Sequence, residues 1–277
     1  MNRFPKISII TPVLNAFSTI EDTILSILDQ RYPNLEYIIM DGGSDDGTIE
    51  VIKRYSHAIN FWCSEVDEGQ YAAINKGFLA SNGEILFWLN AGDKLLPSSL
   101  LLVGEIFSNF KQVEWISSLS PGNFDANGFF FGLGAFPGFS KEGFLDGNNL
   151  PPLLSRASHI QQESTFWRRG LWEKAGSSIP KHSLAGDFAL WAEFYKHADL
   201  IGVTYPLGGF RHLAGQRSED HQLYFNQAHQ SLIELRKCSG WVQSDGEKKS
   251  YLGHRIINNS YRSTGSHWSL QSYEFRL

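Results

Sequence analysis

Cysteine is scarce: Cys63 and Cys238 are the only two among 277 residues. Two thiols cannot build the disulfide framework of a small secreted domain, and their spacing suits no zinc site, so a reducing cytosol is the expected compartment. Long apolar runs are missing too. The most apolar blocks, Ile7–Ile10 and Ile85–Leu89, are strand-sized and fall far short of the ~20 residues of a membrane span. The opening Met1-Asn-Arg-Phe-Pro-Lys6 lacks the apolar stretch of a signal peptide. A soluble, cytoplasmic chain is therefore expected, with association at a membrane surface left open. Basic surplus is absent as well. Against 24 Lys and Arg stand 29 Asp and Glu, a net charge of -5, which leaves nothing spare to neutralise nucleic-acid phosphates. No G-x-G-x-x-G follows the first strand-like block, where Thr11-Pro-Val-Leu-Asn15 stands instead, and no P-loop occurs. Both a dinucleotide dehydrogenase and a P-loop nucleotidase are thereby disfavoured.

What is present is a regular alternation. Ile7–Ile10 reads as a strand ending at Thr11-Pro12. Ser18-Thr-Ile-Glu21 has the spacing of a capping box, and Ile20, Ile24, Ile27 and Leu28 then lay one apolar stripe along a helix that stops before Pro33. Glu36–Met40 is a second strand, Asp41–Gly47 a tight loop and Thr48–Tyr55 a helix. A third strand over Ile59–Trp62, a helix over Tyr71–Ala80 and a fourth strand over Ile85–Leu89 complete the pattern. Strands separated by helices of about ten residues specify a parallel sheet wound on both faces.

Beyond residue 115 the pattern loosens. Residues 122–147 hold seven Gly and seven Phe, including Phe129-Phe-Phe131, with no clear period. This reads as a long irregular insertion whose rings either pack on the core or line an acceptor pocket or lipid contact. Phe166–Trp172 and Asp187–Tyr195 read as helical, Leu223–Leu235 as a further helix, and the chain after Trp241 has no legible pattern.

In an open parallel sheet, ligands bind beyond the carboxyl ends of the strands. Those ends carry Thr11 and Asn15, then Asp41, then Glu65 and Asp67, then Asn90 and Asp93. A rim of this kind suits hydroxyls, base N–H groups and a hard divalent cation rather than a bare anion.

The same residues carry a resemblance. Ile7-Ser-Ile-Ile-Thr-Pro-Val-Leu-Asn15 and Tyr37-Ile-Ile-Met-Asp-Gly-Gly-Ser-Asp-Asp-Gly-Thr48 resemble the opening of family 2 glycosyltransferases of the GT-A fold. Asp67-Glu-Gly-Gln-Tyr-Ala-Ala-Ile-Asn-Lys-Gly77 is similar to a segment of a subgroup that builds bacterial surface polysaccharides, and Leu89-Asn-Ala-Gly-Asp93 falls where that subgroup has its D-x-D motif. A looser likeness continues through Gln161–Phe166, Gly186-Asp187 and Gln216-x-Ser218. The resemblance implies a GT-A, Rossmann-like α/β fold, a mainly parallel central sheet flanked by helices with an acceptor-side C-terminal portion. It divides the chain into a donor half (1–115), an acceptor and base half (116–240) and a tail (241–277).

It also implies roles. Thr11, Pro12, Asn15 and Asp41 would cradle the base and ribose, while Asp67, Asn75 and Lys76 would contact the nucleotide or donor sugar. Asn90-Ala-Gly-Asp93 keeps one carboxylate of the metal motif, so Asp93 would hold Mg²⁺ or Mn²⁺ with substrate oxygens completing the shell, and Asn90 would bond sugar or ribose. Asp187 would act as base, with Glu163 and Glu193 as weaker candidates, and Arg211 or His212 would meet the leaving diphosphate. For Asp67 and Asp187 a helix N-cap is the plainer alternative, and for Asn75-Lys76-Gly77 ordinary C-capping. Ala72 departs from the subgroup, which has Asp there. The implied activity is inverting transfer from a UDP- or GDP-sugar to a saccharide or lipid-linked acceptor. Two other readings stay open: a non-catalytic sugar-nucleotide-binding or scaffold protein on the same fold, and a nucleotidyltransferase.

Overall fold

The structure, a computed structural model, describes residues 4–150, 159–181, 183–242, 250–258 and 268–276. Its first third follows the alternation directly: β1 (Ile7–Val13), α1 (Ile20–Leu28), β2 (Leu35–Asp41), α2 (Thr48–Arg54), β3 (Phe61–Ser64), α3 (Gln70–Ala80) and β4 (Ile85–Trp88). β4, β1, β2 and β3 are neighbours and run parallel, with Val13 beside Asp41 and Asp41 beside Ser64. β1, β2 and β4 are buried on both faces, which is why they read as apolar runs, whereas β3 lies at the exposed edge. Alternate residues feed two cores. Ile38, Leu86 and Trp88 point into one, and Tyr37, Ile39, Ile85 and Phe87 into the other, as the two-residue period of a strand requires.

The expected capping box at Ser18 and Glu21 does not form. α1 starts after Thr19 with no side-chain cap, and Glu21 instead accepts from the Tyr55 hydroxyl at 2.6 Å and pairs with Arg54.

The remaining elements are β5 (Lys94–Leu95), α4 (Ser99–Asn109), β6 (Trp115–Ser118), β7 (Gly122–Phe124), β8 (Phe130–Leu133), α5 (Lys141–Asp146), β9 (Thr165–Arg168), α6 (Arg169–Lys174), α7 (Gly186–Phe194), β10 (Ile201–Val203), β11 (Gly208–Arg211), α8 (His221–Ser239), β12 (Ser250–Asn258) and β13 (Trp268–Arg276). The main sheet has the order β13-β12-β10-β6-β9-β4-β1-β2-β3. β9 inserts antiparallel between β4 and β6, so Phe166–Arg168 is strand, and helix begins only at Arg169. Aromatic content decided this stretch: Phe166 stacks on Phe87, and Trp167 packs into the Trp88, Trp115 and Trp191 cluster, burial that a central strand supplies.

The segment 122–147 is not irregular. It forms the β7–β8 hairpin and α5, and it divides its rings: Phe124, Phe139 and Phe144 are buried, whereas Phe129, Phe130 and Phe131 are exposed. The hairpin belongs to a second sheet of order β5-β11-β7-β8. Beyond Trp241, where no pattern was legible, β12 and β13 pair antiparallel at the edge of the main sheet.

Candidate active site

Two groups of polar residues assemble beyond the carboxyl ends of the central strands. The first surrounds the tips of β1–β3. Asp41, the last residue of β2, is buried and accepts from the backbone N–H of Gly43 (3.1 Å) and Ser44 (3.0 Å) and from the hydroxyls of Ser44 and Ser64. Asn15 takes a positive φ of 50, donates its backbone N–H to Ser44 Oγ and accepts from the Asp45 N–H through Oδ1. Asp67 accepts the Gly69 N–H at 2.7 Å ahead of α3, whose cap is Gly69 itself. A Cβ added to Gly42 would lie 3.3 Å from Asp67 Oδ2, so the Asp41 loop and Asp67 adjoin. Thr11 and Pro12 lie within β1, buried, with Thr11 Oγ1 accepting from the Tyr37 hydroxyl.

The second group lines a cavity of about 410 Å³ between the tip of β4, the segment 159–163, and the starts of α7 and α8. Asn90, Asp93 and Asp187 meet there, together with Trp88, Tyr71, His159, Gln162, Glu163, Arg217 and Tyr224. α1 positions the Asp93 turn: Thr23 Oγ1 accepts the Gly92 N–H and donates to the Asp93 carbonyl. The Asp93 carboxylate accepts the Arg211 backbone N–H (2.9 Å) and the Asn90 amide (3.2 Å). Burial outweighs these two bonds and the Arg211 charge, and pushes its pKa up to about 7. Glu163 is held well above the usual carboxylate range, first by burial and then by the negative charges of Asp93 and Asp187.

Asp187 sits in the first turn of α7, one residue past the start, and not at the cap, which is Ala185. Its Oδ1 accepts from the Tyr224 hydroxyl at 2.8 Å, and its backbone N–H donates to Tyr71 Oη. Gly186 is required by this approach: a Cβ there would come within 2.6 Å of the Tyr71 ring.

A polarised chain of amides joins the two ends of the cavity. Arg217 donates to Gln70 Oε1, Gln70 donates to Asn90 Oδ1, and Asn90 donates to both Asp93 and Gln162. Gln162 in turn donates to the Trp88 carbonyl. Asn90 thus supplies a donor to Asp93 and adds no charge.

Four expected residues lie elsewhere. Asn75 spends both ends of its amide on the backbone of Ile179, and Lys76 pairs with Glu65 on the surface. The Arg211 guanidinium turns away toward Asp22 and the Ala126 carbonyl, so this residue reaches the cavity only through its backbone. His212 lies against Phe131 and Phe210, beside Asn123. The cation that does line the cavity is Arg217, six residues past Arg211 in the same basic, glycine-containing segment, donating to Ser183 O and lying 6.0 Å over the Tyr71 ring. The sequence points to this segment, but the residue it brings to the cavity is Arg217 rather than Arg211 or His212. Tyr224 and His159, single aromatic residues with no motif around them, gave no such pointer.

The Asp93 carboxylate, buried and accepting only from the Arg211 N–H and the Asn90 amide, is chemistry that a divalent cation would satisfy. Among the described residues no three His, Cys, Asp or Glu side chains are arranged to hold one alone, so substrate oxygens would have to share the coordination.

The architecture is that of the GT-A class. It superposes on S. aureus TarS 1-349 in complex with UDP-GlcNAc with a TM-score of 0.64 at 14% identity, over 83% of this chain and 66% of that one. On the mannosyltransferase PcManGT from Pyrobaculum calidifontis, in complex with GDP-Man and Mn2+, the TM-score is 0.57 at 18% identity, over 88% and 66%. Residues 8–113 match the family model of glycosyl transferase family 2. Over 93 residues it is 38% identical to the putative teichuronic acid biosynthesis glycosyltransferase TuaG of Bacillus subtilis, covering 32% of this chain and 37% of that one. Over 95 residues it is 33% identical to an uncharacterized glycosyltransferase of Mycobacterium tuberculosis, covering 34% and 36%. The matched segment thus spans about a third of the length of these curated relatives.

Proposed function

We propose that this chain is an inverting glycosyltransferase. It transfers a hexosyl or N-acetylhexosaminyl group from a UDP- or GDP-sugar to a saccharide, free or lipid-linked, in the assembly of a cell-surface polysaccharide. The observation that carries the reading is the cavity itself, which brings Asp93 from the donor-side strand tip and Asp187 from α7 to one hollow lined by Tyr71, Trp88 and Tyr224. Residues 1–115 form the donor half in this reading, with Asn15, Asp41 and Asp67 shaping the nucleotide rim, and residues 116–240 form the acceptor half. Work at the cytoplasmic face of a membrane fits a lipid-linked acceptor.

In the reaction, the acceptor hydroxyl gives its proton to the Asp187 carboxylate as its oxygen bonds the anomeric carbon. The bond from that carbon to the diphosphate oxygen breaks on the opposite side. Proton acceptance of this kind contributes ~10²- to 10⁴-fold. Arg217 faces the charge left on the diphosphate. Asp93 would hold Mg²⁺ or Mn²⁺, which supplies Lewis-acid stabilisation of the departing oxygen. The aromatic walls exclude water and offer faces for sugar rings.

A thermal-shift panel of UDP, GDP, UDP-GlcNAc and GDP-mannose, with and without Mn²⁺, tests the proposal. One nucleoside diphosphate should stabilise the protein only with metal, and Asp93→Asn should remove that metal-dependent part. Stabilisation by none of the four, together with consumption of a nucleoside triphosphate and a sugar phosphate, would overturn it.

A further inference from the structure

α8 lies outside the segment that matches the family, yet it grips the base from two sides. One helical turn carries both Tyr224 and Gln227. Tyr224 donates its hydroxyl to Asp187 Oδ1 at 2.8 Å in a buried setting. Gln227 Oε1 accepts three bonds from the loop that leads into α7: the Leu184 N–H at 2.6 Å, the Ser183 hydroxyl at 3.1 Å and the Ala185 N–H at 3.2 Å. Those donors matter because α7 has no side-chain cap of its own, and free N–H groups at a helix start need acceptors. On the far side the Asp187 backbone N–H is held by Tyr71. α7 and α8 pack together along their apolar faces, with Trp191, Phe188, Ala228 and Leu232 in one core, so the grip is anchored in a rigid pair of helices.

We propose that Tyr224 and Gln227 are positioning residues, a clamp on α8 that fixes the rotamer and depth of the Asp187 carboxylate. The inference rests on the reading of Asp187 as the base. Tyr224 restrains the carboxylate directly, leaving Oδ2 for the acceptor hydroxyl. Gln227 fixes the backbone from which Asp187 projects. A base held in this way is already in place before the acceptor arrives, so the clamp acts on turnover and not on donor affinity.

Two readouts test it. With UDP-GlcNAc and GDP-mannose as donors and nucleoside diphosphate release as the signal, Tyr224→Phe should lower kcat roughly 10- to 100-fold, the span of one hydrogen bond to a charged group. Donor KM should stay within about twofold. The same change in an Asp187→Asn background should add no further loss. Gln227→Met should behave as Tyr224→Phe does, and Gln227→Glu, which keeps an acceptor oxygen, should restore turnover. Independently of any substrate, hydrogen exchange at the Leu184 and Ala185 amides should quicken about tenfold or more in Gln227→Met and stay slow in Gln227→Glu. Wild-type kcat in Tyr224→Phe while Asp187→Asn is inactive, or unchanged exchange at 184–185 in Gln227→Met, overturns the clamp and leaves the base standing. Full turnover in Asp187→Asn overturns the base itself.

Discussion

Two sets of acids meet at one edge of the sheet and are used differently. Asp41 and Asp93 are equally buried, at 2% and 3% exposure. Four donors converge on Asp41 and fold the Gly42–Ser44 loop around it. Asp93 accepts from Arg211 and Asn90 and faces a cavity, with burial holding its carboxyl near neutrality. Burial therefore does not decide what a carboxylate is for; the number of donors aimed at it does. In the proposed function, the acid held by two N–H groups and two hydroxyls scaffolds the rim, and the acid with fewer donors meets a ligand.

The sharpest way to break this comparison is to remove an acid from each side. On the cavity side, Asp187→Asn should cost ~10²- to 10⁴-fold in turnover, read as nucleoside diphosphate release, with donor binding by calorimetry unchanged. On the rim side, Asp41→Ala strands four donors, two of them buried, and should destabilise the fold by about 2–4 kcal/mol in urea denaturation. Comparable urea midpoints for wild type and Asp41→Ala would show that the rim acid is not scaffolding.

The pH dependence sharpens the contrast further. Asp93 ionises near 7 when folded and near 3.8 as an unperturbed side chain, so the folded state binds the proton more tightly. The stability this contributes is complete below about pH 4 and is lost as the pH rises through about 7; Glu163, raised likewise, adds in the same sense. The metal-free protein should therefore lose several degrees of Tm between about pH 5 and 8, and Asp93→Asn should flatten the curve. The smallest effect belongs to Lys76→Ala. Its partner Glu65 is a surface residue, so neither Tm nor nucleotide affinity should change measurably.

Much of the first third of the chain was legible because buried parallel strands leave apolar runs too dense to misread, as in Ile7–Ile10 and Glu36–Met40, and because the strand tips are then located by topology alone. Asn90 and Asp93, expected at a strand tip, line one cavity, and Asp187, expected from the resemblance, lines it too. The failures have physical causes. Phe166-Trp-Arg168 was read as helix because a short aromatic run has no period to separate it from strand, and only the neighbouring Phe87 and Trp88 decide it. Arg211 and Arg217 are indistinguishable as charges in a chain. Which of them faces the cavity depends on β11 ending against Asp93 and turning the Arg211 side chain toward Asp22. Tyr224 and Gln227 sit on a helix that was legible over Leu223–Leu235, while its contact with α7 was not.

The most direct measurement is anomalous diffraction from crystals grown with Mn²⁺ and the nucleoside diphosphate that stabilises the protein. The account predicts one manganese peak at coordination distance from Asp93, with the diphosphate between it and Arg217 and the Asp187 carboxylate facing the same hollow. A nucleotide bound with its manganese at Asp41 or Asp67, and the cavity empty, would contradict it.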